Sequence, residues 1–453
     1  MNVLVSGSSG FIGGYVVQEL LARGHSVVGV DNFSKYGKVA KSYDDHPDYR
    51  LVEGDCRDVD LMVELLADCD HFIAGAAMIG GISYFHAYAY DLLATNERIM
   101  AASCDAAIKA VQAGRLQKVT YLSSSMVFES TDTWPSVEGD ERTIAPPLSS
   151  YGFQKLAVEY FARAAWDQYQ VPYTICRPFN CVGIGEARAL GDVEVASGNV
   201  KLAMSHVVPD LVQKVLKGQD PLHILGDGSQ VRHYTYGGDL AKGIVTAMEH
   251  PAARNEDFNL STARSTTVLE LAEVIWRKIN GPDRPLNVVS DPGYEHDVNR
   301  RVPSTEKAKE VLGFEATTSL EDMLDEVIPG SPRPWPTAGS DRPDGFDAVV
   351  DLGGAAAPSP AGSGGLRRGH QQQGHAGRHH HQRRPAVGLA EQGRVELRPE
   401  QLRPRAEAEV PGGLHRWSSN PAMTTTAATP RPRWIRVATS AAAAARAGSI
   451  GRR

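Results

Sequence analysis

Short apolar runs alternate with longer amphipathic stretches through the first half of the chain. Five runs, each three to five residues long, are predicted to form strands, the first of them buried, and each is followed by glycine, serine or aspartate. The runs are residues 3–5, 26–30, 49–53, 71–74 and 118–122. Between them, apolar residues recur with helical spacing, as at Val16, Val17, Leu20 and Leu21. This alternation predicts an α/β fold in which helices cover a doubly wound parallel sheet.

The first run passes directly into a glycine-rich turn. Gly7, Gly10 and Gly13 have the spacing G-x-x-G-x-x-G around Phe11 and Ile12, and an amphipathic helix comes next. A turn between a strand and a helix presents main-chain amides at the helix N-terminus, where they can bind a pyrophosphate. Glycines also serve simply to reverse the chain, so the turn predicts a dinucleotide site only together with the residues at the ends of the later strands.

Acidic and small residues at the ends of the next runs strengthen that prediction. Asp31, before Asn32, would accept the ribose hydroxyls of NAD and repel the 2′-phosphate of NADP. Asp55 is a candidate for contact with adenine or for a helix N-cap, although Asp58 is better placed to cap. Small residues after the fourth run would let the backbone approach the nicotinamide ribose. The predicted NAD-binding residues are Gly7, Gly10, Phe11, Ile12, Gly13, Asp31, Asn32, Asp55, Cys56, Ala74, Ala76, Asn96, Tyr151 and Lys155.

Tyr151 and Lys155 are four residues apart in a stretch with helical spacing, so they share one helix face. An ammonium beside a phenol stabilises the phenolate and lowers the pKa of the tyrosine, which makes it a usable general base. Such a pair also occurs by chance on exposed helices. Ser124, in the serine cluster after the fifth run, is the candidate partner hydroxyl. Ser123 or Ser125 could share its role, and capping of local backbone is the alternative for Ser124.

These motifs, in this order, resemble the extended short-chain dehydrogenase/reductase family, whose main members are nucleotide-sugar epimerases and dehydratases. Residues 177–180 are similar to its R-x-F-N segment, residues 225–232 to its G-x-G-x-x-x-R segment, and residues 236–241, 258–260 and 307–321 to its closing blocks. The resemblance covers about residues 1 to 328. It implies a Rossmann-type NAD-binding domain over residues 1–180 and a smaller substrate-binding α/β subdomain over residues 181–328, some segments of which return to the first domain. A homodimer and a nucleotide-diphosphate sugar as substrate are implied as well.

The resemblance also implies roles for individual residues. Tyr151 would take the proton of a sugar hydroxyl while C4 passes a hydride to NAD, Ser124 would hold the oxygen, and Lys155 would tune the phenol and bind the nicotinamide ribose. The implied substrate contacts are Asn180, His206, Arg232, Arg300 and Arg301, with no choice between the last two. Arg177 is a further candidate for the diphosphate, because a guanidinium can bind phosphate oxygens bidentately. Residues 186–201, rich in Gly, Ala and acids, are predicted to form a loop over the substrate.

Positions 125 and 126 bear on the fate of the keto-sugar once C4 is oxidised. The 4,6-dehydratases of the family have an Asp-Glu pair there, whereas Ser125 and Met126 cannot act as acid or base near neutral pH. A C4 epimerase needs no such pair, since the keto-sugar turns over and receives the hydride on its other face. The favoured function is therefore a C4 epimerase of the UDP-glucose type, with a 4,6-dehydratase as an alternative.

His206 supports a different alternative. Residues 77–82 and 205–209 are similar to segments of GDP-fucose synthase, and the Gly-Gly pair also to GDP-mannose 3,5-epimerase. His206 could supply a proton at C3 or C5, but Met126 replaces the cysteine that those enzymes use. His206 could equally lie over the substrate phosphates or on plain surface, while His233 is predicted to be structural. A scaffold that binds nucleotide without turnover is the non-enzyme alternative, against which the intact Ser124, Tyr151 and Lys155 argue.

Charge and cysteine content exclude several other classes of protein. A net charge of −7 and a pI near 6.1 give no whole-chain case for nucleic acid or an anionic membrane as partner. The five cysteines form no C-x-x-C pair, which predicts reduced thiols and no metal site. Met1 is followed by an apolar run without a basic n-region, and no apolar stretch is long enough to span a bilayer. A cytoplasmic protein is expected.

The composition changes abruptly after Gly330. Residues 331–453 contain 18 arginines, nine acidic residues and no lysine, and no apolar period of 2 or 3.6 is present that could bury a core. A basic tail that touches nucleic acid or acidic lipid is one interpretation, with His379, His380 and His381 as a weak metal-binding signal. A disordered extension is the second. Out-of-frame translation of GC-rich DNA is the third and favoured one, and no function is assigned to the tail.

Overall fold

A seven-stranded parallel sheet lies at the centre of the computed structural model, which describes residues 1–80, 87–186, 194–203, 206–293 and 298–330. Its strands are β1 (Asn2–Ser6), β2 (Ser26–Asp31), β3 (Tyr49–Glu53), β4 (His71–Ala74), β5 (Lys118–Leu122), β6 (Tyr173–Pro178) and β13 (Glu256–Leu260). Their order from one edge to the other is β13-β6-β5-β4-β1-β2-β3. The order reverses at β1, as expected for a doubly wound sheet, so the predicted Rossmann-type fold is confirmed.

Helices cover both faces of this sheet because apolar residues of each central strand point alternately to the two sides. In β1, Val3 and Val5 face one apolar core and Leu4 faces the other. The first core packs against α1 (Phe11–Ala22), α6 (Gly237–Glu249) and α8 (Glu306–Leu312). The second core packs against α2 (Val59–Leu66), α3 (Ala89–Gln112) and α4 (Ser150–Tyr169).

A third apolar core lies away from the large sheet. It is formed by α5 (Val207–Leu216), α7 (Val268–Asn280) and α9 (Leu320–Gly330) around the parallel strands β10 (Leu222–Leu225) and β15 (Val288–Asp291). Two further pairs are β7 (Cys181–Val182) with β12 (Thr235–Tyr236), and β11 (Val231–Arg232) with β14 (Thr266–Thr267). Single-turn 3-10 helices occupy Ser125–Phe128, Asp140–Arg142 and Pro251–Ala253.

The predicted substrate loop over residues 186–201 differs from the structure in part. Its second half contains an antiparallel hairpin of β8 (Glu194–Ser197) and β9 (Val200–Ala203). Each of these strands is only four residues long, which is too short a signal to separate a strand from a loop by sequence alone. Residues 187–193 lie outside the described residues, as do Gly81, Ile82, Ser205 and residues 331–453.

Two local predictions are confirmed by the structure. The Asp58 side chain caps α2 by accepting from the amides of Asp60 and Leu61, each at 3.1 Å. All five cysteines are free thiols. Among the described helices, none combines the length and the apolar composition that crossing a bilayer requires.

Candidate active site

The glycine turn brings the main chain of β1 against the start of α1. Gly7 has φ +73°, a conformation that L side chains rarely adopt, and its amide donates to the carbonyl oxygen of Val30 at 2.8 Å. A Cβ added to Gly13 would collide with the carbonyl oxygen of Gly7. Gly10 is the N-cap of α1 and provides no capping side chain. The first-turn amides of α1 therefore have the arrangement that fits a pyrophosphate.

Asp31 lies beside this turn at the end of β2. Its two carboxylate oxygens accept from the amides of Ser9 and Phe33, at 3.1 and 2.8 Å. The carboxylate is thus fixed next to the glycine turn, where the sequence predicted a ribose contact. Asp55 lies at the end of β3 and is paired with Arg57, at 2.5 Å between Oδ2 and Nη2. This pairing holds the pKa of Asp55 below its ordinary value.

The loop after β4 is held in place by two polar side chains. The hydroxyl of Ser6 accepts from the amides of Gly75 and Ala76, at 3.1 and 3.2 Å. Asn96, in α3, accepts from the amide of Met78 at 2.7 Å and donates to its carbonyl oxygen at 2.9 Å. Asn96 was predicted to bind the cofactor, and the structure gives it the role of fixing the loop that borders the site.

Ser124, Tyr151 and Lys155 meet where β5 ends and α4 begins. The Ser124 hydroxyl caps the 3-10 turn by accepting from the amide of Met126 at 3.2 Å, and it is hydrogen-bonded to the Tyr151 hydroxyl. The Nζ of Lys155 is 5.9 Å from the centre of the Tyr151 ring. Ser123 points elsewhere and donates to a carboxylate oxygen of Glu159 at 2.7 Å. Ser124 is therefore the serine of the cluster that is hydrogen-bonded to Tyr151.

Burial dominates the electrostatics of this group. It raises the pKa of Tyr151, while the hydrogen bond with Ser124 and the charge of Arg301 lower that pKa in part. Burial lowers the pKa of Lys155 to about 8. The sequence predicted that Lys155 would tune the phenol. In the structure the Lys155 ammonium lies beside the Tyr151 ring and donates to the carbonyl oxygen of Leu122, and the charge of Arg301 also lowers the pKa of that phenol.

An apolar wall surrounds the Tyr151 side chain. Leu92 and Met126 pack against it, with Ile79 and Val298 at the margin. Ser125 and Met126 are both buried, at 5% exposure each. The Met126 side chain that packs against Tyr151 is thus a thioether, which acts as neither acid nor base.

Arg177 is not at this site, and its predicted contact with a diphosphate is wrong. The guanidinium is completely buried and binds both carboxylate oxygens of Glu159 at 2.7 Å and Asp257 at 2.5 Å. Glu141 and Arg163 complete the cluster. These carboxylates have a spacing that could hold a cation, but arginine side chains lie among them. Glu159 also accepts a hydrogen bond from Ser123, so the cluster is joined to the residue that precedes Ser124.

Arg300 and Arg301 diverge from adjacent positions. Arg300 stacks on Trp134, with 5.2 Å from its guanidinium carbon to the ring centre. The main-chain amide of Arg301 donates to the carbonyl oxygen of Val231 at 3.1 Å, and the guanidinium charge lowers the pKa of Tyr151. Arg232 is buried and donates from Nη1 to the carbonyl oxygens of Val231 and Asn299, at 3.0 and 3.3 Å. Arg300 and Arg301, which the sequence left equal as candidates, therefore have different surroundings: Arg300 lies against Trp134, and the charge of Arg301 acts on Tyr151.

Asn180 has the geometry of a ligand-binding amide. It adopts φ +36° after β6, and its main-chain carbonyl oxygen accepts from the amide of Thr235 at 3.1 Å. Its Nδ2 is buried, and no other described residue supplies a hydrogen-bond partner for it. Buried amides are normally satisfied, so this donor fits a ligand atom.

His206 is the N-cap of α5 and has a carboxylate partner that the sequence did not reveal. Its Nδ1 is hydrogen-bonded to Glu186, whose side chain is only 10% exposed. Burial raises the pKa of Glu186, but the charge and hydrogen bond of His206 more than offset this and hold that pKa below its ordinary value. Isolated acids such as Glu186 and Glu159 belong to no motif, which is why sequence reasoning missed them. His233 is buried and bonded through Nδ1 to the carbonyl oxygen of Thr262 at 2.9 Å.

Comparison with known proteins gives a consistent family. A sequence model of the NAD dependent epimerase/dehydratase family matches residues 3–261. The chain is 27% identical over 340 residues to the UDP-glucose 4-epimerase of Corynebacterium glutamicum, in an alignment that covers 72% of this chain and 94% of that relative.

Solved structures show the same fold. The UDP-glucose 4-epimerase of Thermotoga maritima, solved with UDP-glucose, is 28% identical and superimposes with a TM-score of 0.60, over 73% of this chain and 98% of that one. The UDP-glucuronic acid 4-epimerase of Bacillus cereus, in complex with UDP-glucuronic acid and NAD, is 23% identical with a TM-score of 0.60, over 73% and 98%. At this identity the second likeness supports the fold alone.

Proposed function

The chain belongs to the NAD-dependent epimerase/dehydratase family, with NAD as its cofactor, and we propose on that basis that it inverts C4 of a nucleotide-diphosphate hexose. The uncapped N-terminus of α1, the crowded glycines and the fixed carboxylate of Asp31 fit this cofactor. UDP-glucose and UDP-galactose are the first substrates to test, because UDP-glucose 4-epimerases are among the relatives.

Tyr151 and Ser124 carry the proposed proton transfer. NAD, when bound, supplies the acceptor for the hydride from C4 and later its return. Tyr151, as phenolate, removes the proton of the C4 hydroxyl, and Ser124 holds that oxygen by a hydrogen bond. After the keto-sugar has turned over, Tyr151 gives the proton back, so base and acid are the same residue.

The observation that favours epimerisation over dehydration is the contact between Met126 and Tyr151. Eliminating water from C5 and C6 requires an acid and a base next to the keto-sugar. Ser125 and Met126 occupy the two positions after Ser124, and Met126 contributes a thioether to the wall around Tyr151. Among the described residues, those that form this wall include no acid to protonate a leaving hydroxyl, so return of the hydride is the favoured outcome for a keto-sugar bound there.

The test is a panel of nucleotide-sugars monitored by NMR, without added reductant. Interconversion of UDP-glucose and UDP-galactose, or of another C4 pair, is the expected result. A 4-keto-6-deoxy product would instead establish a dehydratase. Tyr151→Phe should abolish the interconversion, and an unchanged rate in that variant would favour a protein that binds nucleotide without turnover.

The pairing of Glu186 with His206 favours a second chemistry, 3,5-epimerisation of a GDP-sugar. A histidine hydrogen-bonded to a buried carboxylate can donate a proton to a carbon next to a keto group. Deuterium from solvent would then enter C3 or C5 of the product. No deuterium at those carbons, with activity of His206→Ala unchanged, would dismiss this chemistry.

A further inference from the structure

Tyr15 connects the cofactor helix to the chain segment that leads into the predicted substrate side. It lies one turn after Phe11 in α1, and its hydroxyl accepts from the amide of Ile184 at 2.9 Å. The same hydroxyl donates to Glu326 Oε1, in α9, at 3.0 Å. The residues that meet at this one oxygen are therefore 169 and 311 positions away from Tyr15 in the sequence.

Gly183 and Ile184, at the start of residues 183–186, contact the Tyr15 side chain. A Cβ added to Gly183 would collide with the Tyr15 hydroxyl, and one added to Gly237 would approach the ring to 2.6 Å. The Tyr15 ring packs edge-on against Phe11 and Tyr236, with ring centres 5.9 and 5.7 Å apart. Main chain thus contacts the ring on both sides, which leaves residues 183–186 little freedom to shift while the hydroxyl bonds persist.

Glu326 fixes the orientation of this ring. Its carboxylate receives the Tyr15 hydroxyl and is also hydrogen-bonded to Tyr236, the N-cap residue of α6. Tyr236 in turn pairs in the parallel sheet of β7 and β12 with Val182, the residue just before Gly183. A strand pair therefore holds the residue just before residues 183–186, and Tyr15 holds Ile184.

The other end of this segment contacts His206, one of the predicted substrate-binding residues. Glu186 receives the hydrogen bond of His206 at the N-terminus of α5, and it is the carboxylate that orients this histidine. Gly185 has φ +98°. A Cβ placed on it would lie 3.8 Å from the ring of Phe11, so the segment also borders the first residue of α1. A displacement of Ile184 would move both the Glu186–His206 pair and the contact with Phe11.

We propose that Tyr15 and Glu326 are positioning residues, which hold residues 183–186 on the cofactor helix and thereby set the affinity for the nucleotide-sugar. The proposal rests on the proposed function, because the ligand it concerns is the nucleotide-sugar of the same site. Neither residue reacts with the sugar. Their effect is on KM, since they shape a binding surface and leave Ser124, Tyr151 and Lys155 in place.

The experiment compares four variants of the full chain with the wild type. Tyr15→Phe removes the hydroxyl, and Glu326→Ala removes the group that orients it. Both should raise KM for UDP-glucose about 3- to 10-fold, with kcat within about twofold and an unchanged NAD content. Glu326→Gln keeps an acceptor oxygen and should restore the wild-type KM. Asp325→Asn, on the same helix but in an exposed pair with Lys278, is the matched control and should leave KM unchanged.

Amide exchange measured by mass spectrometry gives a readout that needs no turnover. Peptides that contain Ile184 should exchange faster in Tyr15→Phe and Glu326→Ala than in the wild type or in Asp325→Asn. A wild-type KM and unchanged exchange in both variants would overturn the inference, as would an equal loss of kcat and of bound NAD. A wild-type protein without turnover on any nucleotide-sugar would refute the proposed function. Faster exchange in the two variants would in that case still show that Tyr15 restrains residues 183–186.

Discussion

Lys155 donates a hydrogen bond from its Nζ to the main-chain carbonyl oxygen of Leu122, at 3.0 Å. Leu122 is the last residue of β5, and Ser124 lies two positions later, so this bond joins the Tyr151 helix to the end of the strand that presents the partner hydroxyl. The bond is made by a buried ammonium. Burial lowers the pKa of Lys155 from 10.5 to about 8, which leaves the group mostly charged near neutral pH but costly to bury.

Lys155→Met should separate catalysis from stability. Turnover should fall at least about 100-fold, because the variant loses the charged group beside the phenol. The free energy of unfolding at pH 7 should change by no more than about 1 kcal/mol, because methionine avoids the desolvation of the ammonium. The pKa of Lys155 is lower in the folded protein than in the unfolded chain. The wild type should therefore gain stability relative to the variant as the pH rises from 8 towards 10.5. Urea unfolding at pH 7 and at pH 9, together with kcat, measures this.

Arg301→Gln should shift the pH dependence of kcat. The base form of Tyr151 is the phenolate, so activity should rise with pH through the pKa of this phenol. Burial raises that pKa and the charge of Arg301 opposes the increase, so loss of the arginine should move the acidic limb to higher pH. Arg300→Gln is the control, because Arg300 stacks on Trp134 and should leave the limb in place. Equal profiles for the two variants would contradict the assignment of Arg301.

The stability of the fold in acid should depend on Asp257. Burial by itself raises the pKa of this carboxyl, but the charges of Arg177 and Lys307 lower it to about 2. The folded pKa is below the ordinary value of 3.8, so the carboxylate stabilises the fold above about pH 4 and loses this contribution as the pH falls towards 2. Asp257→Asn should cost about 2–4 kcal/mol at pH 7, because Arg177 keeps its buried charge but loses a partner.

Urea unfolding at pH 7, 4 and 3 measures the acid effect. The difference between the wild type and Asp257→Asn should shrink as the pH falls. Asp325→Asn breaks an exposed pair and should stay within about 1 kcal/mol of the wild type throughout. A difference for Asp257→Asn that is constant from pH 7 to pH 3 would mean that titration of this carboxyl does not contribute.

Short strands were the part of the fold that the sequence predicted best. The runs at residues 49–53, 71–74 and 118–122 have the same bounds as β3, β4 and β5, because glycine or serine comes directly after each one. The glycine turn and the Ser124, Tyr151 and Lys155 set were also predicted, since their spacing along the chain reflects one strand end or one helix face.

Contacts between distant segments could not be predicted in this way. Arg177 was assigned to the diphosphate because a guanidinium can bind phosphate oxygens. The assignment was wrong because its partners Glu159 and Asp257 are 18 and 80 residues away, and nothing local shows that they converge. Arg300 and Arg301 could not be separated, since neighbours in an extended chain point to opposite sides and the choice depends on the pairing of Val231 with Arg300. Long-range convergence is a property of the fold, not of a motif.

The exposed face of α4 should pair with a second copy of the chain. Phe153 and Tyr160 are seven residues apart, which places them two turns apart on one face, and they are 48% and 60% exposed. Large aromatic side chains are enriched at interfaces, where burying them contributes much of the binding energy. The wild type should be a homodimer by size-exclusion chromatography with light scattering, and Phe153→Glu with Tyr160→Glu should be a monomer. Leu269→Glu, in α7, is the control for an added surface charge, and a monomeric wild type would refute the proposal.

Gly13→Ala should weaken NAD binding far more than the same change at the next position. A Cβ on Gly13 would collide with the carbonyl oxygen of Gly7, which is main chain and cannot move without displacing the turn that fits the pyrophosphate. A Cβ on Gly14 would meet the Tyr43 hydroxyl at 3.4 Å, an ordinary contact, and alanine is favoured over glycine inside a helix by about 0.5–1 kcal/mol.

Calorimetric titration with NAD should therefore give a dissociation constant at least about 10-fold higher for Gly13→Ala than for the wild type, and an unchanged one for Gly14→Ala. Thermal unfolding without NAD controls for the fold, and Gly14→Ala should be at least as stable as the wild type. Similar NAD affinity in both variants would show that the close approach of Gly13 to Gly7 does not shape the cofactor site. Because the two positions are adjacent in α1 and differ only in what their Cβ would meet, the comparison isolates the geometry of the turn from the rest of the helix.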